Sequence, residues 1–199
     1  MQTMGLNPGK IRIIAAILLA GTVLNYLGAR IADAFSLPAG IAFLIVAYCL
    51  IVMLLPLRLA EVVGIGIVSG ALTILSDPRH LATILGRQAA TAAGLMASFN
   101  LVSEPVGIVA CLWAYTFLKG KARAGVPFAA AFLAACASGI AYLLMVFVFN
   151  PSLVAAQPGY PETFLSRVAE TALLTAIVVQ VLIMARGIYL PPGTKGTSS

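Results

Sequence analysis

Six apolar runs separated by short polar breaks set the pattern of this chain. The first extends from about Ile11 to Gly28, the second from Leu37-Pro38 to Leu57, and the third from Leu59 to Leu75. The fourth covers Gln88 to Leu118, the fifth Gly125 to Phe149, and the sixth Glu162 to Leu190. A helix needs about 20 apolar residues to cross the hydrocarbon core of a bilayer. The runs match that length, which predicts an all-α integral membrane protein. Its expected form is a compact bundle of six transmembrane helices in a single domain, residues 1–190. Residues 191–199, opening on Pro191-Pro192, are expected to form a disordered C-terminal tail. The fourth run is 31 residues long, more than a straight span requires. It predicts either one helix bent at Glu104-Pro105 or a short outer helix followed by a span.

Two runs carry small residues four positions apart, Ala16-x-x-x-Ala20 and Gly66-x-x-x-Gly70. This spacing puts both residues on one helix face and lets a second helix approach closely. For the glycine pair, the expected partner is another helix of the same chain. The sequence Ser76-Asp77-Pro78-Arg79-His80 reads as a turn that opens a loop reaching Arg87.

Composition agrees with the membrane reading: 61% of residues are hydrophobic and 9% charged, where soluble domains run near 25% charged. The formal net charge of +6 needs no nucleic acid to explain it, because cytoplasmic loops of membrane proteins are enriched in Lys and Arg. One side of the bundle would receive Lys10, Arg12, Arg58, Lys119, Lys121, Arg123, Arg186 and Lys195, and the other Arg30, Arg79, Arg87 and Arg167. That imbalance places both termini in the cytoplasm of a multi-pass protein of the cell membrane. Lys10 and Arg12 precede a run longer than the core of a cleaved signal, so the first segment is expected to stay as a span. Cys49, Cys111 and Cys136 all fall inside apolar runs without metal-type spacing, and are expected as small buried hydrophobes. His80 is the single histidine. With no second histidine, no Gly-x-Ser-x-Gly and no His-Glu-x-x-His, the sequence offers neither a metal site nor an enzyme's machinery, and no cofactor is expected.

Polar residues inside the runs carry the functional reading, since an ionisable group at membrane depth is costly. The clearest stretch is Asn100-Leu101-Val102-Ser103-Glu104-Pro105-Val106-Gly107. Counting 1.5 Å per helical residue puts Glu104 about 22 Å above the cytoplasmic end and Asn100 about 6 Å higher. Glu170 falls at about 24 Å and Asn25 at about 20 Å. Asn25, Asn100, Glu104 and Glu170 are therefore expected in one layer of the outer half, as the polar lining of a small-molecule pocket. Glu170 also has Arg167 three positions before it, and Glu61 has Arg58, spacings that suit local salt bridges. Tyr26, Phe99, Trp113, Tyr115 and Tyr142 are candidate aromatic walls, with Trp113 and Tyr115 suited to an interfacial belt.

A family resemblance rests on four stretches: Ala16-Ile17-Leu18-Leu19-Ala20, Leu37-Pro38-Ala39-Gly40, Asn100 to Gly107, and the loop from Ser76 to Arg87. In these, and in its six short segments, the chain resembles the substrate-binding S component of energy-coupling factor transporters. The resemblance implies capture of a vitamin or similar small molecule at the outer face by Glu104, Asn100, Glu170 and Asn25. It implies docking through Ala16 and Ala20 onto a transmembrane coupling subunit, whose ATPases supply the energy, and gating by the loop at 76–87. The sequence also leaves open a structural or assembly subunit of a membrane complex, and a stand-alone carrier with Glu104 and Glu170 as proton sites.

Overall fold

A computed structural model describes residues 7–35, 40–76, 92–119, 125–157 and 159–186, and every regular element among them is helical. The order is α1 (Pro8–Ala34), α2 (Phe43–Leu54), α3 (Leu59–Ser76), α4 (Ala92–Ser98), α5 (Asn100–Leu118), α6 (Val126–Phe149), α7 (Pro151–Ala156) and α8 (Tyr160–Ala185). Five stretches are long and apolar enough to cross a membrane: α1, α3, Leu95–Leu118, α6 and α8. The protein is thus a multi-pass membrane protein by helix length and apolarity. The loop expected at 76–87 lies outside the described residues beyond Ser76, as does the tail at 191–199.

The second run departs from expectation. Instead of a span from Leu37 to Leu57, it forms a 12-residue helix, α2. Its stop has a local cause. Proline disfavours helical backbone in the residue before it, and Leu55, preceding Pro56, is extended at φ −122°, ψ 139°. Nine of the twelve residues are buried, because α2 packs against α1, α3, α5, α6 and α8. A helix that is apolar on all sides belongs inside a structure, and α2 is the centre of this one.

A helix shorter than the bundle leaves its terminal backbone groups inside the protein, where they need partners. At the start of α2, the Ala42 N–H donates to Oγ1 of Thr175 on α8, at 3.3 Å. Thr175 is fully buried. At the start of α6, the Phe128 N–H donates to Oε1 of Gln180, also on α8, at 3.1 Å. Thr175→Val keeps the shape and removes the acceptor. It is expected to cost about 1–3 kcal/mol, the penalty for a buried donor left alone, measurable as a lowered thermal midpoint in detergent.

The other helix ends follow from their own residues. Asn7 caps α1, its side chain accepting the Gly9 N–H at 3.0 Å with Pro8 following. Glu61 reaches back to accept the Arg58 backbone N–H at 2.8 Å, the reciprocal half of a capping box. Its carboxylate thus caps α3, where the sequence spacing suggested a bridge to the Arg58 guanidinium.

Consecutive long helices run in opposite directions. Gly21 lies on Ala47 and Gly28 on Phe43, which makes α1 and α2 antiparallel. Gly66 lies on Pro105 and Gly70 on Asn100, so α3 and α5 are antiparallel too. Gly107 against Ala134 with Phe99 against Tyr142, and Phe128 against Gln180 with Tyr142 against Phe164, continue the alternation through α6 and α8. The fourth run divides at Phe99, between α4 and α5, and not at Pro105. The Phe99 N–H donates to Met96 O, one residue short of the α-helical partner, a tightened turn typical of helix ends. Neither expected form is present as stated: the irregularity falls at Phe99, whose backbone stays right-handed helical, within the one 24-residue stretch Leu95–Leu118.

Candidate functional site: a buried carboxyl where four helices meet

The Gly66–Gly70 face of α3 packs on the polar stretch of α5. A methyl at Gly66 would come within 2.6 Å of Pro105 Cα and 2.9 Å of its nitrogen. One at Gly70 would strike the Asn100 carbonyl and lie 2.9 Å from Leu101 Cα. The glycines bring the two backbones together within one chain, as expected for small-xxx-small spacing. Pro105 has no N–H to donate, and its ring nitrogen sits at this contact. The opposite side of α5 is equally close to its neighbours. At Gly107, a methyl would strike the Tyr48 hydroxyl of α2 and lie 2.9 Å from Ser138 Cβ and 3.0 Å from the Ala134 carbonyl of α6.

Glu104 is held between these contacts, 5% exposed, the only buried carboxylate among the described residues. Tyr48 and Ser138 are the hydroxyl side chains beside it. Glu104 Oε2 and Tyr48 OH each lack a protein partner within hydrogen-bonding geometry. The hydroxyls of Ser69 on α3 and Ser103 on α5 are buried and unpartnered as well. Native proteins pair nearly all their buried polar atoms, and exceptions call for an explanation. Here four such atoms come from α2, α3 and α5, three helices packed on one another. Ser138 on α6 adds a fourth helix to the carboxyl's surroundings.

The other expected site residues occupy different surroundings. Asn100 is buried close to Glu104 along α5, but its Nδ2 donates to Ala97 O of the preceding turn at 3.1 Å. Asn25 donates to Ser76 Oγ at 2.9 Å, across the contact of α1 with the last residue of α3. Ser76 is six residues beyond Gly70, so Asn25 lies about 9 Å further along the bundle than Asn100. Glu170 does share the depth of Glu104, to within about one helical turn, as the Gly107–Ser138 and Gly139–Val168 contacts require. It faces outward, however, exposed on α8, and accepts a hydrogen bond from Ser166 at 3.4 Å. The four residues are therefore not gathered into one pocket. Asn100 and Glu104 lie in the interior, Asn25 holds α1 to α3, and Glu170 looks away from the bundle.

Tyr48, Ser69 and Ser138 were not legible as site residues. Tyr48 carried one usable signal, a hydroxyl inside the most uniformly apolar run, because buried tyrosines ordinarily find a partner. Of the candidate aromatic walls, Phe99 and Tyr142 meet edge to face at 5.8 Å. Tyr142 stacks on Phe164 at 5.7 Å, and Phe99 touches Phe149 at 5.9 Å. These rings tie α6 to α8 and to the turn between α4 and α5, beyond Asn100. Tyr26 pairs with Arg30 on the α1 surface. Trp113 stacks on Phe117 and is exposed, as an interfacial or lipid-facing ring would be. Ala16 and Ala20 are also exposed, on α1. Among the described residues no cluster of His, Cys, Asp and Glu could hold a metal ion. Compared with known protein families, curated proteins and solved structures, the chain matches none.

Proposed function

We propose that this protein is the membrane-embedded substrate-capture subunit of an uptake system for a vitamin or similar small molecule, of the S-component type. Uptake would be energised by a separate coupling subunit and its ATPases. In this reading it is a six-span protein of the cell membrane with α2 as the short central span. Both termini lie on the cytoplasmic side, where most of the Lys and Arg residues fall. The observation that carries the proposal is Glu104 with its unpartnered neighbours. One carboxylate oxygen and three hydroxyls left unsatisfied at membrane depth are what a polar ligand would complete. The α1 surface supports the docking half. Only Leu18 and Gly21 of its 27 residues are buried, which leaves Ala16 and Ala20 open to a partner helix.

The test is to purify the chain alone in mild detergent and identify small molecules released on denaturation. The parent protein is expected to retain one, and Glu104→Ala to lose it. A variant that retains the same molecule equally well would remove Glu104 from the site. The enclosure of Glu104 favours one other reading, a stand-alone carrier that moves a proton on this carboxyl. Uptake by the chain alone in proteoliposomes, driven by a pH gradient without ATPases, would select it.

A further inference from the structure

Apart from the Glu104 cluster, the structure carries a groove between α1 and α3, with a volume of about 1040 Å³. Its sides are apolar: Ile14, Leu18 and Leu19 from α1, and Ile65, Val68 and Leu72 from α3. Its charged residues, Lys10, Arg58 and Glu61, gather with Asn7 at one end, and Thr22 lies toward the other. Two of these have structural duties. Asn7 caps α1, and Glu61 accepts the Arg58 N–H. Lys10 Nζ donates to Pro56 O at 2.7 Å, and an ammonium has further hydrogens to donate. Lys10 and Arg58 against Glu61, one of whose oxygens is taken by the start of α3, leave this end with a net positive charge.

From Arg58, just before α3, to Leu72 the groove follows most of that span, about 21 Å. Cations at one end and hydrocarbon-like walls along the rest match the charge and shape of an anionic lipid. Gly64 keeps the channel wide, since a Cβ built there meets no atom within 4 Å.

We propose that the α1–α3 groove is a binding site for an anionic phospholipid of the leaflet on the Lys10–Arg58 side, its acyl chain lying between the helices and its phosphate beside Lys10 and Arg58. This does not depend on the transport reading or on Glu104.

The test is native mass spectrometry of the full chain, delipidated in mild detergent and supplied with palmitoyl-oleoyl phosphatidylglycerol or the matching phosphatidylcholine. The parent is expected to hold phosphatidylglycerol in preference to phosphatidylcholine. Gly64→Leu fills the channel and is expected to lose the bound lipid while keeping the parent's helical circular dichroism. Arg58→Gln keeps the channel, and is expected to lower the preference for phosphatidylglycerol by about fivefold, the effect of one cation near a membrane surface. Equal retention of the two lipids by the parent would overturn the site. So would phosphatidylglycerol adducts that survive Gly64→Leu, or a change of oligomeric state in Gly64→Leu with the adducts intact. The last result would mean that the groove takes a second copy of the chain.

Discussion

Gly70→Ala is expected to lower the stability of the bundle by about 1–3 kcal/mol, the usual cost of overpacking a close contact. The added methyl has nowhere to go. It meets the backbone of Asn100 and Leu101, and backbone cannot turn aside as a long side chain does. Relief requires moving α3 off α5, which also disturbs the seat of Pro105 on Gly66. Gly64 is the matched control six residues earlier on the same helix, with open space beyond it. Gly64→Ala should leave stability unchanged or raise it by up to about 1 kcal/mol, because alanine is the better helix former. Thermal unfolding followed by circular dichroism in one detergent compares the two. If both variants shift in the same direction, the glycine crossing of α3 on α5 is not what holds these helices together.

Tyr48→Phe is expected to leave the purified protein as stable as the parent or to raise its stability by about 1–3 kcal/mol, while weakening ligand retention. The hydroxyl lies beside the Glu104 carboxyl but outside hydrogen-bonding geometry, so its removal lifts a desolvation penalty at the loss of a weak contact. Ser103→Ala follows the same logic at a second unpartnered hydroxyl. Two measurements on one set of variants separate the roles. Groups that serve a ligand give gains in stability with losses in retention, whereas groups that knit the helices together give losses in stability. A fall of more than about 1 kcal/mol in Tyr48→Phe would show that the hydroxyl supports the fold.

Height along the bundle was legible for Glu170, and the direction its side chain faces was not; for Asn25 the height was not legible either. Runs of apolar residues locate the helices, and a count of 1.5 Å per residue gives height along them. Glu170 illustrates both sides of this. Its level beside Glu104 follows from counting, yet it lies on the outer surface of α8. In a soluble protein, the alternation of polar and apolar residues reveals which face is buried. In a membrane protein, lipid tails are as apolar as leucine, so the outward and inward faces of α8 read alike. Asn25 shows a different limit. Its hydrogen bond to Ser76 depends on how α1 lies against α3, which no count along α1 contains. The break at Phe99 was obscured by Pro105, the stronger local signal, which sits inside α5 without ending it. The stop of α2 was legible in Pro56. The start was not, because the apolar run continues upstream of Phe43 without a helical capping signal.

The shortness of α2 has a mechanical consequence. Its 12 residues rise about 18 Å, against a hydrocarbon thickness of about 30 Å. Because its neighbours enclose it, that shortfall is never presented to lipid, and α2 has no hydrophobic mismatch to relieve. The five longer helices do present their length to the bilayer, and they answer a thinner or thicker membrane by tilting. A change in membrane thickness is therefore met by those five helices and not by α2, the element that carries Tyr48.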